Sequence, residues 1–202
     1  MFWRRKKLAY EISIPPIVKP FDQMNKKDAQ EYFCWYESTM QERIAYLGTV
    51  SKVDLDYSPA SLRRLWAWFL RRGEVETTPK EKLANLEEQL RAANSPFVKE
   101  VLADNEKQLT LETEFIVQDI ARYFGEVFIQ NNPSLYWGYY SRPKNDAFVN
   151  QPVLMGMPNR VFPEKEGVPL PVIHMVRVRA LRLIKGDSSS NDLFELYQMN
   201  KA

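Results

Sequence analysis

Residues 111–130 read LETEFIVQDIARYFGEVFIQ, and this stretch decides the fold. Phe115, Ile116, Ile120, Tyr123, Phe124, Val127 and Phe128 recur at helical spacing and cover about half of one helix's circumference. A helix this apolar belongs at the centre of a packed structure. Gly125 inside it costs about 1 kcal/mol relative to alanine, and close approach of another backbone would explain its presence. Asn131-Asn132-Pro133 ends the helix.

Upstream, the periodicity predicts more helices. Over 58–72, Ser58 is placed to cap, Pro59 fills the first turn and Gly73 follows the end. Leu62, Leu65, Trp66, Phe69 and Leu70 form its wide apolar face. A long helix is expected over 26–47, with Asn25 as N-cap, a stripe of Phe33, Tyr36, Met40, Ile44 and Leu47, and Gly48 as its stop. Ser38-Thr39 marks a bend or a break into two helices. A third helix should open with a capping box at Thr78, Pro79 and Glu81 and run to about Ala93 on the surface, since its stripe of Leu83, Leu86 and Leu90 is thin. A short helix follows Ser95-Pro96. Leu8–Ile14 reads as a strand stopped by Pro15-Pro16.

Downstream the character changes, with prolines and glycines crowding residues 133–171. Leu135–Tyr140 and Val153–Met157 read as strands, 159–171 as a loop. Residues 172–185 fit a helix ending at Gly186 better than a strand, and a closing helix is expected over 192–199. The fold class is therefore α+β, helix-rich with a small antiparallel sheet, in a single compact domain. Within it, 1–24 is an N-terminal strand and lead-in, 25–132 is mainly helical, and 133–202 holds strands, loop and closing helices.

The chain has 202 residues, one cysteine, one histidine and seven glycines. One cysteine allows no internal disulfide, which fits a reducing compartment, and Cys34 beside Phe33 and Trp35 reads as a small buried hydrophobe. The basic start at Arg4-Arg5-Lys6-Lys7 is not followed by a signal-type apolar run, and no stretch reaches the ~18–20 apolar residues of a membrane span. The expected location is cytoplasmic. Net charge is +2 but uneven. Residues 74–126 hold 12 acidic and 6 basic side chains, and the remainder holds 14 acidic and 22 basic. This predicts a polarised surface.

The chemistry of known motifs is missing. His174 and Cys34 alone make a poor start for zinc, which takes several such ligands. There is no phosphate-binding glycine loop, dinucleotide fingerprint or G-x-S-x-G. No cofactor and no metal site are expected. Glu112, Glu114, Asp119 and Glu126 lie on or near the apolar helix, where a pocket could set a carboxylate pair to acid–base work. The usual reading is a solvated helix edge. Three basic clusters offer a route to nucleic acid: Arg4 to Lys7; Arg63, Arg64, Arg71 and Arg72; and Arg177, Arg179, Arg182 and Lys185. The acidic helix over 79–93 and the weak net basicity oppose it.

Two surfaces are candidates for binding another protein. At 100° per residue, Arg64, Trp68 and Arg71 share the side of their helix away from Leu62 and Phe69, and Arg and Trp are enriched at hot spots. The alternative is that Trp68 packs under another helix and the arginines pair with the acidic region. The second candidate is Trp137 and Tyr139 with Arg142, on a strand whose aromatics lie on both faces; core packing is again the alternative.

Met24-Asn25-Lys26-Lys27, Phe33-Cys34-Trp35-Tyr36, Arg43-Ile44, Asp56-Tyr57-Ser58-Pro59-Ala60-Ser61-Leu62 and Leu65-Trp66-Ala67-Trp68-Phe69-Leu70 together resemble a group of uncharacterised bacterial cytoplasmic proteins. Ile120–Gly125-Glu126, Trp137 and Pro152-Val153-Leu154 continue the pattern. Some proteins of this look are immunity partners of bacterial toxins. The resemblance implies binding by surface complementarity without catalysis and assigns no residue a role. The expectation is thus a non-enzymatic, immunity-type or adaptor protein whose partner is another protein. A carboxylate enzyme and a nucleic-acid binder are the alternatives.

Overall fold

The structure is a computed structural model that describes residues 9–158 and 167–201. Its axis is the helix α6 (Leu111–Asn131), capped by the Thr110 side chain, which accepts from the Thr113 amide. From Ile116 to Phe128 nearly every side chain of α6 is buried, the polar ones included. A helix is buried all round only when other elements cover each side. Here α2 (Met40–Ser51), α3 (Pro59–Arg72) and α7 (Val172–Ala180) pack on it. The outer helix α9 (Asp192–Asn200) lies against α3 and α7. The result is one compact α+β domain with two small antiparallel sheets.

Local chemistry explains the helix ends. Asn25 and Asp28 form a capping box at the start of α1 (Lys26–Ser38). The expected break falls at Thr39, whose hydroxyl bonds the Trp35 carbonyl at 2.8 Å and competes with the helical ladder. α2 does not stop at Gly48. It runs to Ser51, the Ser51 hydroxyl accepts from the Val53 amide, and Lys52 takes the left-handed conformation. Buried Leu47 and Ser51 hold this last turn in place. α3 keeps its expected limits, with the Ser58 hydroxyl accepting from Ser61 and Pro59 in the first turn.

The expected strand at Leu8–Ile14 does not form over its described residues. Its backbone groups go to side chains instead of a ladder: the Tyr10 amide donates to Glu112 and the Glu11 amide to the Tyr46 hydroxyl. The expected Thr78 capping box is also absent. Thr78 is buried, its amide donates to the Glu106 carbonyl, and the helix α4 (Lys80–Ala92) starts two residues later without a side-chain cap. Thr78 instead extends a ribbon that the sequence reading does not include, β1 (Val75–Thr77) paired antiparallel with β2 (Lys107–Leu109). Between the two strands, α4 and α5 (Val98–Asp104) form an arm with no buried residue in either helix.

The second sheet pairs β3 (Tyr136–Gly138) with β4 (Val153–Met155), Trp137 opposite Leu154. Both are shorter than expected. Leu154 also exchanges backbone hydrogen bonds with Leu170. Residues 172–185 are helical, as α7 and the short α8 (Arg182–Lys185), and Gly186 closes α8 at φ +71°. Of the expected loop at 159–171, residues 159–166 lie outside the described residues.

Gly125 meets a side chain, not the backbone that its position in α6 suggests. A Cβ at 125 would overlap the six-membered ring of Trp137. Gly125→Ala therefore sets a helix gain of about 1 kcal/mol against overpacking that typically costs about 1–3 kcal/mol. A net loss of stability in urea unfolding is expected, and in a Trp137→Ala background the same change becomes neutral or stabilising.

Candidate functional site

One face of α6 carries Glu112, Asp119 and Glu126 at intervals of seven, with Arg122 between the last two. The structure buries this face from Asp119 to Glu126 and leaves Glu112 partly open. Asp119 is 4 % exposed and Arg43 of α2 is also 4 % exposed. Arg43 donates from Nε and Nη2 to Asp119, the shorter bond 2.6 Å, and Nη2 also reaches the Glu11 carbonyl. The Tyr10 hydroxyl donates to the same carboxylate at 2.7 Å. The Arg43 guanidinium lies over the Tyr46 ring, 4.7 Å from its centroid. Arg122 donates to the Tyr36 carbonyl, lies over the Tyr36 ring and sits 3.7 Å from Asp119. Glu112 takes the Tyr10 amide and Arg72, and Glu126 accepts from the Trp137 indole at 2.8 Å. Along the helix, Glu112 thus faces Arg72, Asp119 faces Arg43 and Arg122, and Glu126 faces an indole.

The expectation that these carboxylates mark a solvated edge is corrected for Asp119 and Glu126, because α6 is covered on the side where a simple amphipathic helix would meet water. Their chemistry is structural. Asp119 accepts from three donors, the Tyr10 hydroxyl and two nitrogens of Arg43, so its buried charge is matched by hydrogen bonds within the fold. Glu114 lies apart, in an exposed pair with Arg177 at 2.8 Å. His174 is exposed with its ring against Phe148, and Cys34 is exposed too. That corrects the buried reading of Cys34: α1 buries Ala29, Tyr32 and Tyr36, and position 34 falls outside that stripe. Among the described residues no group of His, Cys, Asp or Glu is placed to hold a metal ion. No described helix is long and apolar enough to cross a membrane.

Clefts between the described residues include one along the arm and one beside α1. The larger, about 690 Å³, runs between the arm and α7–α8. Leu83 and Leu86 of α4 line one wall, Leu181 and Ile184 the other, with Leu109 and Leu111 between them. Leu111 is 65 % exposed although it opens the most apolar helix. Thr78 lines the same cleft with a buried hydroxyl that has no hydrogen-bond partner among the described residues. The smaller cleft, about 470 Å³, lies between the start of α1 and the loop after β3, and Lys26, Arg142 and Lys144 line it. Glu112, Asp119 and His174 line neither cleft.

The residues picked out in the sequence are dispersed in role. Arg64 is exposed, pairs with Asp56 at 3.2 Å and also reaches the Asp54 carbonyl. Trp68 is half-buried against the core, and Arg71 is exposed in the last turn of α3. Trp137 fills the notch at Gly125 and meets Tyr36 edge-on. Tyr139 packs on Phe33. Arg142 belongs to the smaller cleft. Many cations of the expected basic clusters are held internally: Arg72 by Glu112, Arg177 by Glu114, Arg182 by Asp192, while Arg63 lies over the Phe194 ring. The cluster Arg4 to Lys7 lies outside the described residues.

Neither the charge ladder nor the larger cleft is predicted from the sequence. The ladder had a signal: Arg43 beside Ile44 and Arg122 inside the apolar run are charges at positions that helical spacing places near the core. The cleft had little, because its walls come from segments 98 residues apart, Leu83 and Leu86 against Leu181 and Ile184. No protein-family model matches the chain, nor does any curated protein or solved structure.

Burial raises the phenol pKa of Tyr10, Tyr32 and Tyr36 above the usual 10.0, Tyr32 to about 12, and the Asp119 carboxylate adds to the rise at Tyr10. A folded value above the unfolded one means that these groups stabilise the protein fully below pH 10 and lose that contribution as pH rises toward the folded values. Stability is expected to fall from about pH 10 upward, with the tyrosinate absorbance of these residues appearing together with loss of helical circular dichroism. Ionisation of all tyrosines near pH 10 in a protein that stays folded would contradict this.

Proposed function

We propose that this chain is a protein-binding protein and that its partner docks in the cleft between the arm and α7–α8. The observation that carries this reading is the pair of facing aliphatic ridges. Leu83 and Leu86 are three apart on α4, Leu181 and Ile184 are three apart across the cleft, and both pairs stay partly open to solvent. Side chains three and four apart form the ridges between which another helix seats. The fitting occupant is an amphipathic helical segment of a partner, its apolar face down and its polar face toward the mixed rim of Lys82, Lys107, Glu114 and Lys185.

The arm supports the reading in a second way. Its helices contribute no buried residue, so their apolar positions are not needed to complete the core. The cleft thereby takes the place of the Arg64–Trp68–Arg71 face as the first surface to test, since Trp68 packs in part against the core and Arg64 is paired with Asp56. The immunity-type role implied by the family resemblance is one form of this function, with a toxin as the partner. The committed carboxylates of α6 and the internally paired arginines lend no support to the carboxylate-enzyme and nucleic-acid readings.

Leu83→Glu/Leu86→Glu places charges on one ridge at positions that are not buried, so the fold should persist. In capture from the native host followed by titration of the purified partner, the wild type is expected to hold a stoichiometric protein, and the variant to bind it at least tenfold more weakly. Equal binding by the folded variant would overturn this cleft as the site. If an Arg64→Ala/Trp68→Ala/Arg71→Ala variant alone lost the partner, the α3 face would be the site instead.

A further inference from the structure

The smaller cleft differs in kind from the rest of the surface. Its cations, Lys26, Arg142 and Lys144, have no ion pair or hydrogen bond among the described side chains, and the one carboxylate lining it is Asp22. Elsewhere most described arginines are matched by a carboxylate: Arg43 and Arg122 at Asp119, Arg64 at Asp56, Arg91 at Glu87, Arg177 at Glu114 and Arg182 at Asp192. Gathering three like charges around one concavity is unfavourable unless an opposite charge enters it. The cleft also sits at the start of α1, whose dipole adds partial positive charge there. Asn25 already occupies the amides of Lys27 and Asp28, so recognition falls to the side chains.

The cleft is also built to hold its shape. Asn150 is 5 % exposed and ties both walls together. Its amide nitrogen donates to the Phe21 and Met24 carbonyls at 2.9 and 3.1 Å, and its oxygen accepts from the Ser141 hydroxyl at 2.8 Å. Its backbone amide donates to the Tyr140 carbonyl at 2.7 Å, and its φ is +62°. Further along the loop, Asp146 accepts from the Tyr140 hydroxyl and the Phe148 amide, at 2.6 and 2.7 Å. The segment bearing Arg142 and Lys144 is thus pinned on both sides of the two cations, which lowers the ordering cost of binding.

We propose that this cleft binds a compact polyanion, a small molecule carrying phosphate or carboxylate groups, with Arg142 able to grip one group through two parallel hydrogen bonds and Lys26 and Lys144 supplying point charges. The lining residues Met24 and Val149 offer no aromatic platform for a base, so the anionic group itself is what the site reads. This goes beyond the protein-binding reading and uses none of its residues.

Titration of the full chain with pyrophosphate at low ionic strength, followed by calorimetry, is the test, with citrate as a parallel titration to separate phosphate from carboxylate recognition. Saturable binding of one or both is expected, weakening as salt is added. In Arg142→Glu/Lys144→Glu it should weaken at least tenfold with the melting temperature retained, and in Leu83→Glu/Leu86→Glu it should be unchanged. Failure of both anions to saturate, or equal affinity in the folded charge-reversed variant, would overturn the proposal.

Discussion

The buried pairing of Asp119 with Arg43 is the constraint on which the packing depends. Two charges at 4 % exposure each are stable only if their hydrogen-bonding groups are matched. Matching them fixes more than one helix. Arg43 brings α2 to α6, its second nitrogen holds the Glu11 carbonyl, and Tyr10 closes on the same carboxylate. The N-terminal segment is therefore held by polar groups where a strand was expected. Further along α6, Arg122 reaches the Tyr36 carbonyl of α1 and Glu126 holds the indole of Trp137. One face of one helix thus registers α1, α2, β3 and the N-terminal segment. Apolar burial supplies most of the favourable free energy, but it is non-directional, and the ladder selects the arrangement.

This explains which parts of the fold were legible in the sequence. The caps of α1 and α3, the break at Thr39, the central place of α6 and the helical reading of 172–185 all follow from local spacing and turn chemistry. The misreadings share a cause: a distant partner changed the role of a local signal. Thr78 resembles a cap until the Glu106 carbonyl draws its amide into a ribbon. Leu8–Ile14 alternates like a strand, yet Tyr10 answers to α6. Gly48 is a plausible stop, yet the buried turn beyond it keeps α2 going. Gly125 signals close approach, and only the structure says that Trp137 is what approaches.

The same division applies to function. The carboxylates that looked most chemical in the sequence are consumed in holding the fold together. The two proposed binding surfaces lie elsewhere, one between the arm, the exposed start of α6 and α7–α8, the other a cationic hollow beside α1. Both surfaces are assembled from segments far apart in the chain, which is why no short motif announces them. Arg142 is the exception: it stood out beside the aromatic strand, and the structure gives it two cationic neighbours, Lys26 and Lys144.

A double-mutant cycle on Arg43→Met and Asp119→Leu, read by urea unfolding, tests the central claim most directly. Each single change leaves a buried charge without its partner and is expected to cost roughly 3–5 kcal/mol. The double variant should lose much less than the sum, because removing both charges also removes the unmatched one. Small, additive losses would contradict the account, since they would mean that these charges are solvated and that the packing around α6 is set without them.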